Sequence, residues 1–447
     1  MGAGAVTALA MVACAPTDDV KDLSGVLPED KALKTMFMYF PYSGTTGNLY
    51  DYFLGNIADV ETAIINNGGL DSTHVMVFMA RSATLGHLYR IRYNNGACIH
   101  DTIAVYKESN FNSRPMSSSS WIKYIINQVN SYAPADSFAM LIGCHGLGWL
   151  YANPTTTTSA KQSTAFSDET EVSEAKASFP NYSTNTLSNE DETFEYQKGK
   201  RRPRTRWFGG TAIKTDIEDL ATGITSSSVK KMQFLLFDDC YMAGVECAYE
   251  LRNACNYLIA SPAEVNGNGM PYDEVFITLA QKNPNYQKFA LDYYNYYSEY
   301  LSSEMIYPFG QIAVIKSSEM DSLANVMALI NKHDSTTVKA WGNDTIAKPD
   351  WQYDLQFYDG LYPHVFLDFG EYVEYLCTSD SLLNVFKARL NKAVPYKYST
   401  EKGYSDLNSY GYFNIHAYSG ISTSEPSNST GYVWPYYKQT AWYKATH

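Results

Sequence analysis

Positive charge and clustered metal ligands are both scarce in this sequence. Its 447 residues include 34 Lys and Arg against 47 Asp and Glu, which gives a formal net charge of −13. Such a chain repels a phosphate backbone, so the composition argues against nucleic acid as a partner. The eight histidines show no ligand spacing, and no motif of zinc peptidases, nucleotide-binding proteins or serine hydrolases occurs. The sequence therefore requires no cofactor of its own, and a need for calcium stays open.

The sequence also lacks a dense cysteine framework and an apolar run long enough to cross a bilayer. Its seven cysteines have no spacing typical of a zinc site or of a small disulfide-rich domain. The short apolar run at residues 3–13 is typical of the end of a secretory leader. Cys14 follows it in a pattern that resembles a bacterial lipobox, so we expect a lipid anchor at Cys14. An ordinary signal peptide and a disordered start are the alternatives.

The remaining composition suits a protein that works outside the cytoplasm. Tyrosine is common, at 38 residues, whereas charged residues make up only 18% of the chain. Together with the frequent Ser, Thr and Asn, this mix indicates an extracytoplasmic surface. We therefore expect either a cell-envelope lipoprotein attached to the membrane through Cys14 or a secreted protein.

Apolar runs alternate with segments of helical periodicity over much of the chain. The predicted strands are 35–40, 74–80, 88–91, 138–143, 234–237, 257–261 and 311–315, and the predicted helices are 50–66, 118–132, 213–224, 245–252, 273–281, 286–303 and 320–332. Continuous apolar strands that alternate with helices predict an α/β fold, with a largely parallel sheet covered by helices on both faces. The strand at 311–315 is predicted to be the last one of this sheet.

Changes of composition divide the chain into five parts. Residues 1–30 are predicted to be a lipoprotein signal and tether, and 31–151 and 207–335 to be two halves of one α/β domain. Between the halves, residues 152–206 are polar and end in a basic cluster. A stretch so long without periodicity is usually functional or disordered. Residues 336–447 are rich in Tyr, Trp, Pro and Asn, and we expect a smaller C-terminal region there.

Two of the predicted strands end in residues that can carry chemistry. His145 follows the strand at 138–143, and Cys240 follows the strand at 234–237. The carboxyl ends of parallel strands meet at one edge of a sheet, which is where open α/β sheets bind ligands. If the two strands are neighbours, the His145 imidazole can take the Cys240 thiol proton and return it to a leaving amine.

The turns after these strands also expose backbone donors. The N–H groups of Gly146 and Cys240 can bind the oxyanion of a tetrahedral intermediate, and glycine lets the backbone approach closely. A plainer interpretation stays open at this point, in which His145 and Cys240 are not catalytic and the pair Asp238 and Asp239 caps the following helix.

Longer motifs surround both residues. His-Gly-Leu-Gly-Trp occupies 145–149, Asp-Asp-Cys occupies 238–240, and Glu-Cys-Ala-Tyr-Glu-Leu follows at 246–251. A glycine-rich loop at 267–272 ends in Pro-Tyr. Over roughly residues 33–335 these motifs together resemble the clostripain family of cysteine peptidases, within the caspase-like clan. The resemblance implies a caspase-like sheet and a catalytic dyad of His145 and Cys240.

The resemblance also implies a substrate preference. Asp238 would line a pocket for a basic side chain, and Asn268 would lie in the same pocket, where basic-specific members tend to carry an acid. We therefore expect an exported cysteine endopeptidase that cuts peptides or proteins after Arg or Lys through an acyl-enzyme. An inactive surface lipoprotein on the same fold is the alternative, and a transpeptidase or amidase is a third interpretation. The sequence does not determine the oligomeric state.

Members of the family that prefer basic residues mature by cutting the linker between the two motifs. The resemblance therefore implies a zymogen in which residues 152–206 are a processing linker. We expect cleavage after Lys161 or within 198–206, with both fragments held together by the shared sheet.

Overall fold

In the computed structural model, the residues described are 26–41, 49–150, 205–206, 215–303, 305–335, 355–361, 364–424 and 437–447. Cys14, Lys161 and residues 198–204 lie outside the described residues. The predictions of a lipid anchor at Cys14 and of cleavage after Lys161 or within 198–204 therefore concern residues that the structure does not describe. The strands, helices and contacts named below all lie within the described ranges.

A mixed sheet of nine strands forms the centre of the molecule. In chain order, all strands of the described ranges, those of this sheet and those of three two-stranded sheets, are β1 (Ala32–Phe40), β2 (Thr73–Ser82), β3 (Leu85–Asn94), β4 (Ala97–Lys107), β5 (Ala135–Ile142), β6 (Thr205–Arg206), β7 (Met232–Phe237), β8 (Cys255–Ala260), β9 (Val265–Asn266), β10 (Gln311–Lys316), β11 (Leu367–Asp368), β12 (Tyr396–Ser399), β13 (Lys402–Ser405), β14 (Gly411–Asn414) and β15 (Ser422–Thr423). The sheet has the order β12-β10-β8-β7-β5-β1-β2-β3-β4. Its five central strands, β8 to β2, are parallel, and antiparallel strands extend it at both edges. The predicted α/β fold with a largely parallel sheet is confirmed.

Helices cover this sheet in two groups. In chain order the α-helices are α1 (Tyr50–Asn66), α2 (Glu108–Ser113), α3 (Ser119–Tyr132), α4 (Ile217–Thr225), α5 (Val245–Leu251), α6 (Tyr272–Ala280), α7 (Tyr286–Glu299), α8 (Met320–His333), α9 (Phe369–Leu376), α10 (Asp380–Ala393) and α11 (Ala441–Thr446). In one group α6 contacts both α1 and α7, and in the other α4 contacts both α3 and α5. Because the central strands have helices on either side, their apolar residues are buried on both faces, as their continuous apolar sequences require.

Local signals explain where several of these elements begin and end. Ser118 caps α3, since its hydroxyl oxygen accepts a hydrogen bond from the backbone N–H of Trp121 at 3.2 Å. The hairpin between β3 and β4 turns at Asn95 and Gly96, which have φ of 50° and 85°. Two consecutive positive φ values are typical of a type I′ turn, for which Asn-Gly is the preferred sequence. This dipeptide could have predicted the hairpin. The strand pattern at 88–91 predicted only part of β3 and did not predict β4.

The sheet does not end at the strand that the sequence pattern placed last. Beyond β10 lies β12, which pairs antiparallel with it and comes from the residues assigned to a C-terminal region. Its sequence, Tyr-Lys-Tyr-Ser, alternates over only four residues, and this is too short for periodicity to distinguish it from a loop. The expectation for the last strand was therefore wrong.

Later residues of the chain also contact the centre of the molecule. Helix α10 packs on α8, and β15 pairs with β11. The N–H of Ser422, the first residue of β15, donates to the carbonyl oxygen of Ala243 at 2.8 Å. Ala243 lies just beyond the end of β7, so this C-terminal strand reaches the turn that follows the central sheet. No helix in the described ranges has both the length and the apolar character needed to cross a membrane.

Candidate active site

Strands β5 and β7 are neighbours in the parallel part of the sheet. Ile142, the last residue of β5, is paired with Phe237, the last residue of β7. The N–H of Asp238 donates to the carbonyl oxygen of Ile142 at 2.8 Å, which continues the pairing into the turns. His145 and Cys240 are each the third residue beyond this last pair, so the two turns bring them to the same edge of the sheet. Their side chains are both buried.

Gly146 packs directly on the peptide of Cys240. A Cβ built at Gly146 would lie 2.9 Å from the Cys240 nitrogen and 2.7 Å from the Asp239 Cβ, and still closer to the Cys240 carbonyl oxygen. Real Cβ atoms do not make such contacts, so this position requires glycine. The two turns are therefore in contact along their backbones at the point where the sequence predicted an oxyanion site.

The sulfur of Cys240 lies beside a backbone donor. The N–H of Val265, the first residue of β9, lies 3.2 Å from Cys240 Sγ and donates to it. A hydrogen bond from an N–H favours the charged form of the group that accepts it, so this contact favours a thiolate. Sequence reasoning did not single out Val265, since no local pattern shows which backbone group faces the sulfur.

The residue after Cys240 has a strained backbone. Tyr241 has φ of 62°, in the left-handed region that a bulky residue adopts at a cost of about 1–3 kcal/mol. Its N–H donates to the Ala263 carbonyl oxygen at 3.1 Å, and its ring stacks on Phe366 with 4.8 Å between the ring centroids. Burial raises the pKa of the Tyr241 hydroxyl well above its usual range, so the hydroxyl stays protonated and acts as a donor.

Asp239 joins the two turns. Its Oδ1 accepts a hydrogen bond from the backbone N–H of Cys144 at 2.6 Å, and its Oδ2 lies 3.3 Å from Cys144 Sγ. Cys144 immediately precedes His145, and Asp239 immediately precedes Cys240. The carboxylate is fully buried and bonds to the other turn, which differs from the helix cap that the Asp-Asp sequence also allowed.

The two predicted substrate-binding residues lie on different elements. Asp238 is fully buried at the end of β7, and its Oδ2 accepts a hydrogen bond from the Tyr272 hydroxyl at 3.2 Å. Asn268 is exposed on the glycine-rich loop, where its side-chain amide donates to the hydroxyl of Tyr300. Because Tyr272 ends that loop, its hydroxyl connects the loop to the strand end that carries Asp238.

Two other described cysteines, Cys247 and Cys255, belong to the buried core. Cys247 and Cys255 are fully buried, and burial raises the pKa of the Cys255 thiol to about 11 and that of Cys247 well above its usual range. Neither thiol therefore forms a nucleophilic thiolate near neutral pH. None of the six cysteines within the described ranges forms a disulfide. In the same ranges, no group of three or more His, Cys, Asp or Glu side chains is placed to hold a metal ion.

Comparison with known proteins identifies the family. The model of the clostripain family matches residues 200–444, which include Cys240. The crystal structure of a secreted C11 cysteine protease from Bacteroides thetaiotaomicron, called iotapain, is 34% identical over 94% of this chain and 100% of that chain, with a TM-score of 0.71. The chain belongs to the clostripain family. The recognition from its two motifs is confirmed, and the protein is a cysteine peptidase.

More distant clostripain-family structures share the fold. An inactive zymogen C11 protease from Parabacteroides distasonis is 24% identical, with a TM-score of 0.69, over 94% of this chain and all of that one. A secreted C11 cysteine protease from Bacteroides thetaiotaomicron, in complex with an irreversible peptide inhibitor, is 21% identical, with a TM-score of 0.67, over 93% of this chain and 99% of that one. No curated protein matches the sequence.

Proposed function

We propose that this clostripain-family peptidase is exported and cleaves proteins after Arg and Lys, with Cys240 as nucleophile and His145 as general base and acid. The observation that carries the proposal is the pairing of Ile142 with Phe237, because it brings the turns of His145 and Cys240 to one edge of the sheet. The secreted relative from Bacteroides thetaiotaomicron supports export.

The proposed reaction has two steps. His145 takes the proton of the Cys240 thiol, and the thiolate attacks the carbonyl carbon of the scissile bond. The N–H groups of Gly146 and Cys240 bind the resulting oxyanion, and His145 gives its proton to the leaving amine as the C–N bond breaks. Water, deprotonated by His145, then attacks the thioester and releases the acid product and the thiol.

Substitution of the proposed dyad tests this mechanism. We expect Cys240→Ala to abolish peptide cleavage and His145→Ala to remove nearly all of it, and the double variant to be no worse than Cys240→Ala, since the two act as a unit. Cys98→Ser is the matched control, because Cys98 is a free thiol on β4, outside the two turns. Near-normal turnover of Cys240→Ala would exclude Cys240 as the nucleophile.

The substrate preference is proposed from Asp238. This carboxylate is fully buried at the end of β7, two residues before Cys240, and the Tyr272 hydroxyl joins it to the glycine-rich loop. It can bind an Arg side chain through two parallel hydrogen bonds, whereas Lys offers a single point charge. Asn268 adds a neutral acceptor in place of a second charge. We therefore expect cleavage after Arg, then Lys, with modest selectivity.

Matched peptides with Arg, Lys, Ala or Leu before the scissile bond test this preference. In the wild type we expect kcat/KM to be highest for Arg, lower for Lys and lowest for Ala and Leu, and we expect Asp238→Asn to lose most of the preference for Arg. Asn268→Asp supplies the second carboxylate, and we expect it to raise kcat/KM for Arg and Lys peptides only. A preference for Ala or Leu that Asp238→Asn leaves unchanged would refute the basic pocket while the peptidase assignment stands.

We further propose that the protein is a zymogen activated by cleavage in the linker 152–206. The last two residues of this linker form β6, which pairs antiparallel with β9: Thr205 with Asn266, and Arg206 with Val265. Val265 is the residue whose N–H donates to Cys240 Sγ. The linker thus ends against the strand beside the proposed nucleophile, where a substrate peptide would have to bind.

Time-resolved mass analysis of the purified chain tests the activation proposal. We expect activity to rise as the wild type is cut after Lys161 or within 198–206, and Cys240→Ala to stay intact if cleavage is autocatalytic. A wild-type preparation that is fully active while still a single chain would refute it.

The proposed lipid anchor at Cys14 is tested on the native N-terminus. We expect mass spectrometry to find lipid on Cys14, with enough acyl chains for stable membrane attachment. An unmodified N-terminus downstream of Cys14 would instead establish simple secretion.

A further inference from the structure

Glu264 is a fully buried acidic residue between β8 and β9, and the dyad does not use it. The next residue along the chain is Val265, whose N–H donates to Cys240 Sγ at 3.2 Å. The preceding residue is Ala263, whose carbonyl oxygen accepts the N–H of Tyr241 at 3.1 Å. Glu264 is therefore the centre of a three-residue segment that contacts Cys240 and the residue that follows it.

The Glu264 side chain binds the same turn a second time. Its Oε1 accepts a hydrogen bond from the Tyr241 hydroxyl at 2.6 Å. Tyr241 follows Cys240 directly and has φ of 62°, a conformation that persists only where surrounding contacts hold it. The turn that carries Cys240 is thus hydrogen-bonded by the backbone on either side of Glu264 and by the Glu264 side chain.

The same oxygen also binds the C-terminal part of the chain. Oε1 accepts hydrogen bonds from the Ser405 hydroxyl at 2.6 Å and from the Asp406 N–H at 2.8 Å. The Ser405 hydroxyl oxygen in turn accepts the N–H of Gly360 at 2.9 Å. Ser405 is 141 positions from Glu264 in the sequence, so the contact joins the end of β13 to the turn of Cys240.

We propose that Glu264 is a positioning residue for Cys240, and that residues 405–406 belong to the catalytic unit through it. This rests on the proposed role of Cys240 as nucleophile. Glu264 keeps the Val265 N–H on the sulfur and Tyr241 in its left-handed conformation, and Ser405 and Asp406 hold the Glu264 side chain in place. The sulfur then presents one orientation to the substrate.

Glu264→Gln tests the proposal, since it keeps the shape of the side chain but replaces the carboxyl oxygen with a weaker amide acceptor. We expect kcat to fall about tenfold or more because the sulfur is misplaced, with KM changed much less. We also expect the alkylation of Cys240 by iodoacetamide, mapped by mass spectrometry, to shift to higher pH by about half a unit or more, because its N–H donor is loosened.

Asp368→Asn is the matched control. Asp368 is a buried carboxylate of the same C-terminal part, and it accepts hydrogen bonds from the Tyr358 hydroxyl at 2.7 Å and from the N–H groups of Ser419 and Glu371 at 2.6 and 3.0 Å. We expect it to lower the melting temperature about as much as Glu264→Gln does, with the wild-type alkylation profile retained. A purely structural role for Glu264 would give both variants the same unchanged profile, which would overturn the proposal.

A second variant covers the case in which Glu264→Gln does not fold. Tyr241→Phe keeps the ring stacked on Phe366 and removes only the hydroxyl that binds Glu264, so the same alkylation shift is expected at a smaller size. Cys240→Ala is assayed in parallel. If Cys240→Ala is active, the proposed nucleophile is wrong. If Cys240→Ala is inactive while Glu264→Gln and Tyr241→Phe keep the kcat and alkylation profile of the wild type, only the positioning role of Glu264 is wrong.

Discussion

Gly146 is the residue at which the site has the least room. An alanine Cβ would lie 2.9 Å from the nitrogen of Cys240, so the turn after β5 would have to move away from the proposed nucleophile. We expect Gly146→Ala to lower kcat/KM about a hundredfold, since misplacement by about 1 Å can have that effect, and to destabilise the fold by about 1–3 kcal/mol. Steady-state kinetics and urea denaturation measure the two effects.

Gly55 provides the control for this substitution. It lies inside α1, and a Cβ there would have no heavy atom within 4 Å. Gly55→Ala should stabilise the protein by about 0.5–1 kcal/mol through helix propensity and leave kcat/KM unchanged. Wild-type kinetics in Gly146→Ala would contradict the close contact between the two turns.

Asp239 is the second single residue on which the site depends, because its carboxylate joins the turn of Cys240 to the turn of His145. Asp239→Ala removes the acceptor of the Cys144 N–H, and the loss of a buried hydrogen-bond partner costs about 1–3 kcal/mol. Asp239→Asn keeps an acceptor oxygen and should recover most of that stability. Urea denaturation checks the order of the three proteins.

Asp321 is the matched control for Asp239. It forms an ion pair with Arg252 at 2.8 Å, but its side chain is 71% exposed. Asp321→Ala should change stability by no more than about 0.5 kcal/mol, because exposed ion pairs contribute little. An equally small effect for Asp239→Ala would show that Asp239 does not hold the two turns together.

At the scale of single elements, the contact between α5 and β15 depends on a buried acid. Glu246 lies in the first turn of α5, and its Oε1 accepts the Ser424 N–H at 3.0 Å and the Thr423 hydroxyl at 3.1 Å. Burial raises the pKa of Glu246 to about 7, while hydrogen bonds from Ser424 and Thr423 act in the opposite direction. The titratable groups near it are Tyr437, which also hydrogen-bonds to it, Cys247 and Glu250 on α5 itself, and Asp216 and Glu218 at the start of α4.

This raised pKa predicts a pH dependence with a definite sign. Between the unfolded pKa of about 4.3 and the folded value of about 7, the folded protein binds more protons at Glu246 than the unfolded chain does. The contribution of Glu246 to stability is therefore present at pH 4 and is lost as the pH rises to 7. Glu246→Gln should thus gain stability relative to the wild type when the pH goes from 5 to 8, as melting temperatures will show. If the melting temperatures of Glu246→Gln and the wild type differ by the same amount at pH 5 and at pH 8, this titration is excluded.

At the scale of the whole molecule, the two halves of the site and the C-terminal part share one sheet. Cleavage anywhere in 152–204 leaves β5 and β7 paired in parallel and both buried. We therefore expect the two fragments to stay together in size-exclusion chromatography without denaturant.

Removal of residues 336–447 should have the opposite effect. It takes away β12, which pairs with the edge of β10, and α10, which packs on α8. It also removes Ser405 and Asp406, which bind Glu264. We expect this truncated protein to lose cooperative thermal unfolding, whereas a chain cut only in the linker keeps it. A soluble truncated protein with the wild-type melting temperature would show that the central sheet is independent of the C-terminal part.

The sequence alone determined the central strands and helices and the candidate catalytic residues. Strands such as β5 and β7 are continuous apolar runs, and helices such as α3 have an apolar face of period 3.6, because burial selects side chains locally. His145 and Cys240 were found at the ends of two such runs. The longer motifs around them were specific enough to name the family before any fold was known.

Only the tertiary structure decided how these parts meet. The parallel pairing of β5 with β7 joins segments separated by the whole linker. Their continuous apolar runs lack the alternation by which a half-buried strand specifies its register. The contacts of Asp239 with Cys144 and of Glu264 with Ser405 span 95 and 141 positions. Their partners are chosen by the packing of the chain in three dimensions, so periodicity, which acts over one or two turns, could not reveal them.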